Sequence, residues 1–195
     1  LKEEVGACLL GGHGIPASLL STMLKVYILN YGFDIKDTSK LMEVLNEDVI
    51  KVFPRGKLIS LFYLMIDFHA NKMKYCKASQ ESGYLLRAKT NEIEELITEG
   101  QVLGLFSKID FPDIVNFEEK ELIFEIGDKL LLYTDGIVEA KNSLGEYFGT
   151  ERIKDIFIKY KDSENVLEII QEELFSFVKS DKLEDDLTFL LIERG

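Results

Sequence analysis

No apolar run in this sequence approaches the roughly 20 residues that a membrane-spanning helix needs; the longest, Leu58–Ile66, is far shorter and contains Ser60. No segment reads as a signal peptide. Cysteine is scarce: Cys8 and Cys76 are the only 2, too few for a disulfide framework, and both sit in apolar surroundings. They are expected to be buried free thiols of a reducing compartment, which points to the cytoplasm. Positive charge is also short, with 23 Lys and Arg against 35 Asp and Glu, a net charge of −12 and a pI near 4.7. That balance argues against nucleic-acid partners and against direct contact with anionic membranes, and it suits a protein that uses divalent cations. There is no Ser-His-Asp or Cys-His constellation, no Walker-type loop and no His-Glu-x-x-His, so covalent and zinc-protease chemistries have no support. The 195 residues suit one domain able to bury roughly 70% of the surface its unfolded chain exposes. A chain opening on Leu1-Lys2-Glu3-Glu4 and running straight into an apolar stretch is expected to be a piece of a longer protein.

What is present centres on Leu130–Glu139, Leu-Leu-Leu-Tyr-Thr-Asp-Gly-Ile-Val-Glu. Lys129–Thr134 reads as a strand buried on both faces, since the apolar run has no polar alternation. It stops at Asp135, and Gly136 permits a sharp exit. An Asp-Gly pair alone is most simply a turn. A second acidic feature adds weight: Glu184-Asp185-Asp186 leads into the strand-like Leu187–Ile192. If the two strands are antiparallel neighbours, Asp135 and Asp185 or Asp186 share one end of a sheet. Clustered carboxylates without cations nearby call for protons or for a bound hard cation.

In chain order, Val5–Leu10 reads as a strand and Gly11-Gly12-His13-Gly14 as the turn out of it. His13 lacks a second histidine or carboxylate at ligand spacing and reads as a turn residue. A helix is expected over Pro16–Tyr31, with Leu20, Met23 and Leu24 inward. A second, capped by Asp37 or Thr38, runs to Val52 with Leu41, Val44, Leu45, Asp48, Val49 and Val52 on its inner stripe. The period then changes to strands at Leu58–Ile66, Met73–Ala78, Tyr84–Ala88, Ile93–Leu96 and Leu122–Glu125. His69 falls in a hairpin loop. Thr150 is expected to cap one late helix, and Asp162 or Ser163 another running to about Lys179. The pattern commits to an α+β fold, a four-layer sandwich of two mainly antiparallel sheets flanked by helix layers.

The blocks Leu131-Leu132-Tyr133-Thr134-Asp135-Gly136-Ile137-Val138-Glu139-Ala140, Gly145-Glu146-Tyr147-Phe148-Gly149 and Asp185-Asp186-Leu187-Thr188 resemble the SpoIIE-type branch of the metal-dependent, 2C-like (PPM) serine/threonine phosphatases. Gly12-His13-Gly14-Ile15-Pro16-Ala17-Ser18 is similar to that branch's Gly-His-Gly segment, and Gly100–Leu105 to its Gly-x-x-Leu-Gly-Leu loop. The order of the blocks covers nearly the whole chain. The resemblance implies that Asp135 and Asp185 ligate Mn²⁺ or Mg²⁺ and serve the catalysis, with Asp186 beside them at the metal. It implies hydrolysis of phosphoserine or phosphothreonine in a signalling partner protein, by analogy an anti-anti-sigma-type regulator. Two ions about 3.5–4 Å apart would share and activate a water.

The same resemblance marks departures. At the position where the family has a metal-bridging aspartate this sequence has Leu9, and Ala78-Ser79-Gln80 stands where Ala-Gly-His is usual. The earlier strand pair that bears a further acidic ligand does not lie upstream of Leu1. The metal site is therefore expected to be weak or incomplete. Two other readings stay open: a catalytically impaired module kept for partner binding, and a structural domain or one that acts on a small phosphorylated molecule.

Overall fold

The computed structural model describes residues 4–10, 14–32, 34–54, 56–179, 183 and 185–195, with the backbone alone for Glu4 and 14–19. The expected turn at Gly11-Gly12-His13 lies outside the described residues, as does Glu184. Two compact units emerge, one built from residues 1–80 and 97–124 and the other from 81–96 and 125–195. Each carries one four-stranded antiparallel sheet and its own helices, an α+β fold as the sequence pattern requires.

The first unit opens with β1 (Glu4–Leu10), α1 (Gly14–Tyr31) and α2 (Thr38–Val52). It continues through β2 (Leu61–Asp67) and β3 (Lys72–Ala78) and closes its sheet with β6 (Lys120–Ile123), in the order β1-β2-β3-β6. Asp37 caps α2 as expected, its Oδ1 accepting from the Lys40 N–H at 2.8 Å. That bond leads the causes holding its carboxyl below the usual range. A distant carboxylate adds to the cap, since Glu119 accepts from both Thr38 N (2.5 Å) and Thr38 Oγ1 (2.9 Å) while pairing with Lys74. Orphan donors at a helix start are thereby satisfied from the neighbouring sheet.

The α2 stripe differs from the expected one. Thr38, Leu41, Met42, Leu45, Asn46 and Val49 are buried, whereas Val44 and Asp48 are half-buried and Val52 is exposed. The face is turned because one cluster joins α2 both to Leu61, Tyr63 and Ala78 of the sheet and to Leu103, Val115 and Phe117 of the long connection to β6. In α1, Leu24 is fully buried, Leu20 is half-buried and Met23 is exposed. Truncating Leu24 to alanine should cost about 2 to 5 kcal/mol in a urea titration; a loss under about half a kcal/mol would place the helix on the surface. Burial pushes the Cys76 thiol up to about 12, as expected of an unreactive core thiol, whereas Cys8 is half-buried rather than buried, its thiol raised by the same cause.

The second unit holds β4 (Gly83–Leu86), β5 (Ile93–Leu96), β7 (Lys129–Tyr133) and β8 (Phe189–Glu193), ordered β5-β4-β7-β8. Three helices accompany them, the single turn α3 (Asp135–Val138), α4 (Gly149–Lys159) and α5 (Val166–Val178). Their buried side chains, among them Ile153, Phe157, Ile170 and Leu174, pack on Tyr84, Leu86, Leu131 and Tyr133. On the opposite face Leu85, Leu130 and Leu132 are buried too, as the unalternated run predicts.

Several boundaries move. Ile59 leaves the β2 ladder to bridge Leu103 through two backbone bonds, β6 lies two residues earlier than expected, and β8 runs from Phe189 rather than Leu187. Thr150 lies inside α4, whose cap position is Phe148. The next helix starts after Asn165, where the Ser163 hydroxyl accepts from the Asn165 N–H at 3.2 Å instead of capping the helix. Among the described residues no helix is long and apolar enough to cross a membrane.

Candidate functional site

The expectation with the most chemical content was that Asp135 and the Asp185-Asp186 pair meet at one sheet edge. They do. β7 and β8 pair antiparallel with Tyr133 opposite Phe189, and the ladder extends one step further. Thr134 N donates to Thr188 O (3.2 Å) and Thr188 N donates to Thr134 Oγ1 (3.2 Å). The same buried hydroxyl donates to the Asp186 carbonyl at 3.4 Å. Thr134 thus ties the acidic segment to the end of β7. In the sequence it marks only the last residue of a buried run, although a hydroxyl closing an apolar strand is itself a sign of a local backbone tie.

Gly136 is required here, but for a reason other than a sharp turn. Its φ is not among the positive values. A methyl group placed on it would lie 2.5 Å from the Asp186 carbonyl oxygen and 3.4 Å from Asp185 Cβ. Only a residue without Cβ lets the two acidic segments approach this closely. Asp135 opens α3 instead of sitting in a loop, and its Oδ1 accepts from Gly136 N at 3.0 Å. Asp185 Oδ1 likewise accepts from Asp186 N at 2.8 Å. All three aspartates are exposed, and among the described residues no cation pairs with them.

Gly136→Ala is expected to lower stability by about 1 to 3 kcal/mol, since the clash is with backbone that cannot swing aside. Chemical denaturation measures it, and an unchanged midpoint would mean that the Asp186 segment yields freely.

Does this set suit a metal? Among the described residues no group of three or more His, Cys, Asp or Glu side chains is placed to hold one. What the edge offers is a pair of carboxylates with an oxygen each beyond the backbone bond. That fits a hard cation taking one or two carboxylates and completing its shell with water, as Mg²⁺ does. Leu9 adds no oxygen: it is 5% exposed and sits opposite Phe62 in the first unit's sheet. His69 stands in the exposed β2–β3 turn, which Asp67 braces by accepting from His69 N and Ala70 N. Ser79, where the resemblance implies glycine, has a φ of 52°, a left-handed backbone that glycine adopts without strain.

The sequence pattern described as "Stage II sporulation protein E (SpoIIE)" matches residues 10–195. The chain belongs to the SpoIIE family. This SpoIIE chain is 24% identical over 185 residues to the phosphoserine phosphatase RsbU of Bacillus subtilis (strain 168), covering 94% of itself and 53% of that relative. It therefore spans about half the length of that curated relative. Among solved structures it resembles the SiaA-PP2C domain of Pseudomonas aeruginosa, with a TM-score of 0.79 at 17% identity over 97% of this chain and 74% of that one. RsbX in complex with magnesium gives a TM-score of 0.67 at 19% identity, over 97% and 81%. These likenesses show a PP2C-type fold.

Proposed function

We propose that this SpoIIE-family domain is a metal-dependent phosphatase that hydrolyses phosphoserine or phosphothreonine in a regulatory partner protein. The observation that carries the reading is the paired edge itself, with Asp135 and Asp185 brought together by the β7–β8 ladder over Gly136. RsbU, named for action on phosphoserine, supplies the substrate class. RsbX, solved with magnesium, supplies the cofactor class.

On this reading Asp135 and Asp185 are the ligands and Asp186 is their neighbour, contributing its carbonyl to the tie with Thr134. A bound Mn²⁺ or Mg²⁺ supplies Lewis-acid polarisation and a more acidic water. The protein's own part is to hold two carboxylates in fixed register and to leave them open to a phosphorylated side chain, which their exposure allows. An anti-anti-sigma-type regulator is the partner we favour, and the cytoplasm the compartment. We further infer that the chain is one SpoIIE-type domain of a longer protein.

Phosphate release from a phosphoserine peptide with and without Mn²⁺ tests the proposal. Metal-dependent release that disappears in Asp135→Asn is expected. Release that is independent of metal, or that survives Asp135→Asn, would refute it. A second reading, a module that binds partners without turnover, is favoured by Leu9; it predicts no release at any Mn²⁺ concentration.

A further inference from the structure

The connection between Leu103 and Val115 carries five large apolar side chains at the surface, Leu105, Phe106, Ile109, Phe111 and Ile114, with Ile109 74% and Ile114 61% exposed. Isolated surface hydrophobics need no explanation, but five on one short connection, two of them in ring contact, are the kind of grouping that marks an interaction surface. The loop is not free to fold these side chains away, because α2 grips it from beneath. Asn46 Nδ2 donates to Phe106 O at 2.9 Å and Asn46 Oδ1 accepts from Gly104 N at 3.0 Å. Glu47 accepts from Ser107 Oγ and from Lys108 N, and Glu43 pairs with Lys108. Leu103 and Val115 anchor the two ends in the core. Phe106 and Phe111 meet edge to face, 5.3 Å between centroids.

The charges on this loop select the occupant. Lys108 is neutralised by Glu43, whereas Asp110 and Asp113 are exposed and pair with no cation among the described residues. The adjoining groove of about 350 Å³, lined in part by Ile109, is balanced, with Lys40, Lys51 and Lys108 against Glu43, Glu47 and Asp48. The uncompensated charge beside the apolar side chains is thus negative, on a chain of net charge −12. A second copy would set Asp110 and Asp113 against themselves across a two-fold axis, and an anionic bilayer would repel them.

We propose that loop 104–114 is a docking surface for a protein segment that presents apolar side chains flanked by lysine or arginine. It lies on the first unit, and the inference stands apart from the phosphatase reading, since no metal or turnover enters it.

A labelled amphipathic peptide of leucine and lysine, and its leucine–glutamate counterpart, serve as probes by fluorescence anisotropy. The leucine–lysine peptide should bind the native chain, and Ile109→Ser with Phe111→Ser should weaken it about tenfold or more, a 1.4 kcal/mol step. Asp110→Lys with Asp113→Lys should weaken it similarly and confer binding of the glutamate peptide. Glu164→Lys with Glu168→Lys, which changes the net charge equally on exposed positions elsewhere, should leave binding intact. All the substituted residues are exposed, so circular dichroism should report an unchanged fold. The proposal is overturned if the native chain ignores the leucine–lysine peptide, if the distant charge changes weaken binding as much as those in the loop, or if the native chain sediments as a dimer that Ile109→Ser dissolves. Binding of the loop to neutral phosphatidylcholine vesicles in place of the peptide would overturn it as well.

Discussion

Replacing Asp128 with alanine is expected to cost about 3 kcal/mol in a denaturant titration, because it removes the one buried carboxylate of a partly exposed charged cluster. Asp128 is 1% exposed and works in four directions. Its Oδ2 accepts from Arg87 Nη1 at 3.0 Å and from Glu125 N at 3.1 Å, and its Oδ1 accepts from Ala88 N at 2.9 Å. Its backbone carbonyl accepts from Arg194 N at 3.0 Å, while Gly127 N donates to Arg194 O at 2.7 Å. The carboxylate therefore fastens the chain after β4 to the turn before β7, and the backbone of the same residue ties in the chain after β8, at the end of the sheet opposite Asp135. Alanine would take the acceptor from the Ala88 and Glu125 N–H groups, on an exposed and a half-buried residue, and leave Arg87 with Glu94 as its remaining carboxylate partner among these bonds. Asp128→Asn keeps the shape and one acceptor but turns an amide toward Arg87, so its loss should fall between wild type and alanine. A cost below about 1 kcal/mol for alanine would show that solvent replaces these bonds.

Asp128 also shows where the sequence stops being legible. Ile126-Gly127-Asp128 could be recognised as a turn, and the turn is there, with Gly127 at a φ of 88°. Nothing local announced that its aspartate reaches Arg87, 41 positions back, since long-range polar bonds leave no periodicity. Short-range physics was readable: the Asp37 cap, the β2–β3 hairpin and the unalternated β7 run all follow from neighbours in sequence. The α2 stripe was readable only in part, because a helix packed on two surfaces buries a wider face than spacing alone suggests, and Met42 and Asn46 turn inward to meet the second one. At the candidate site, the pairing of Asp135 with the Asp185 segment could be anticipated from two apolar runs bounded by acids. The closeness that makes Gly136 irreplaceable could not, since a backbone approach of 2.5 Å to an absent side chain has no trace in composition.

Titrating the chain with Mn²⁺ should reveal no more than one site, and a weak one, with poor turnover of phosphoserine peptides. The argument is one of donor count. A pair of close divalent ions repel each other unless shared anionic oxygens lie between them, and the position where the resemblance implies such a bridge is Leu9, an apolar side chain buried opposite Phe62. The described residues offer the carboxylates of Asp135 and Asp185 and no third ligand grouped with them. Two carboxylates and water suffice for one hard cation held loosely. Asp135→Asn or Asp185→Asn should then weaken the calorimetric signal about tenfold or more, since removal even of outer-shell partners costs about 10- to 100-fold and a ligand counts for no less. Thermal melts with added Mn²⁺ give a readout independent of turnover, as a cation that binds only the folded chain raises its melting temperature. Two tight sites with robust phosphate release would overturn the donor count and would mean that another acid, Glu139 or Asp186, bridges in place of Leu9. The substitutions Glu139→Gln and Asp186→Asn would then identify which.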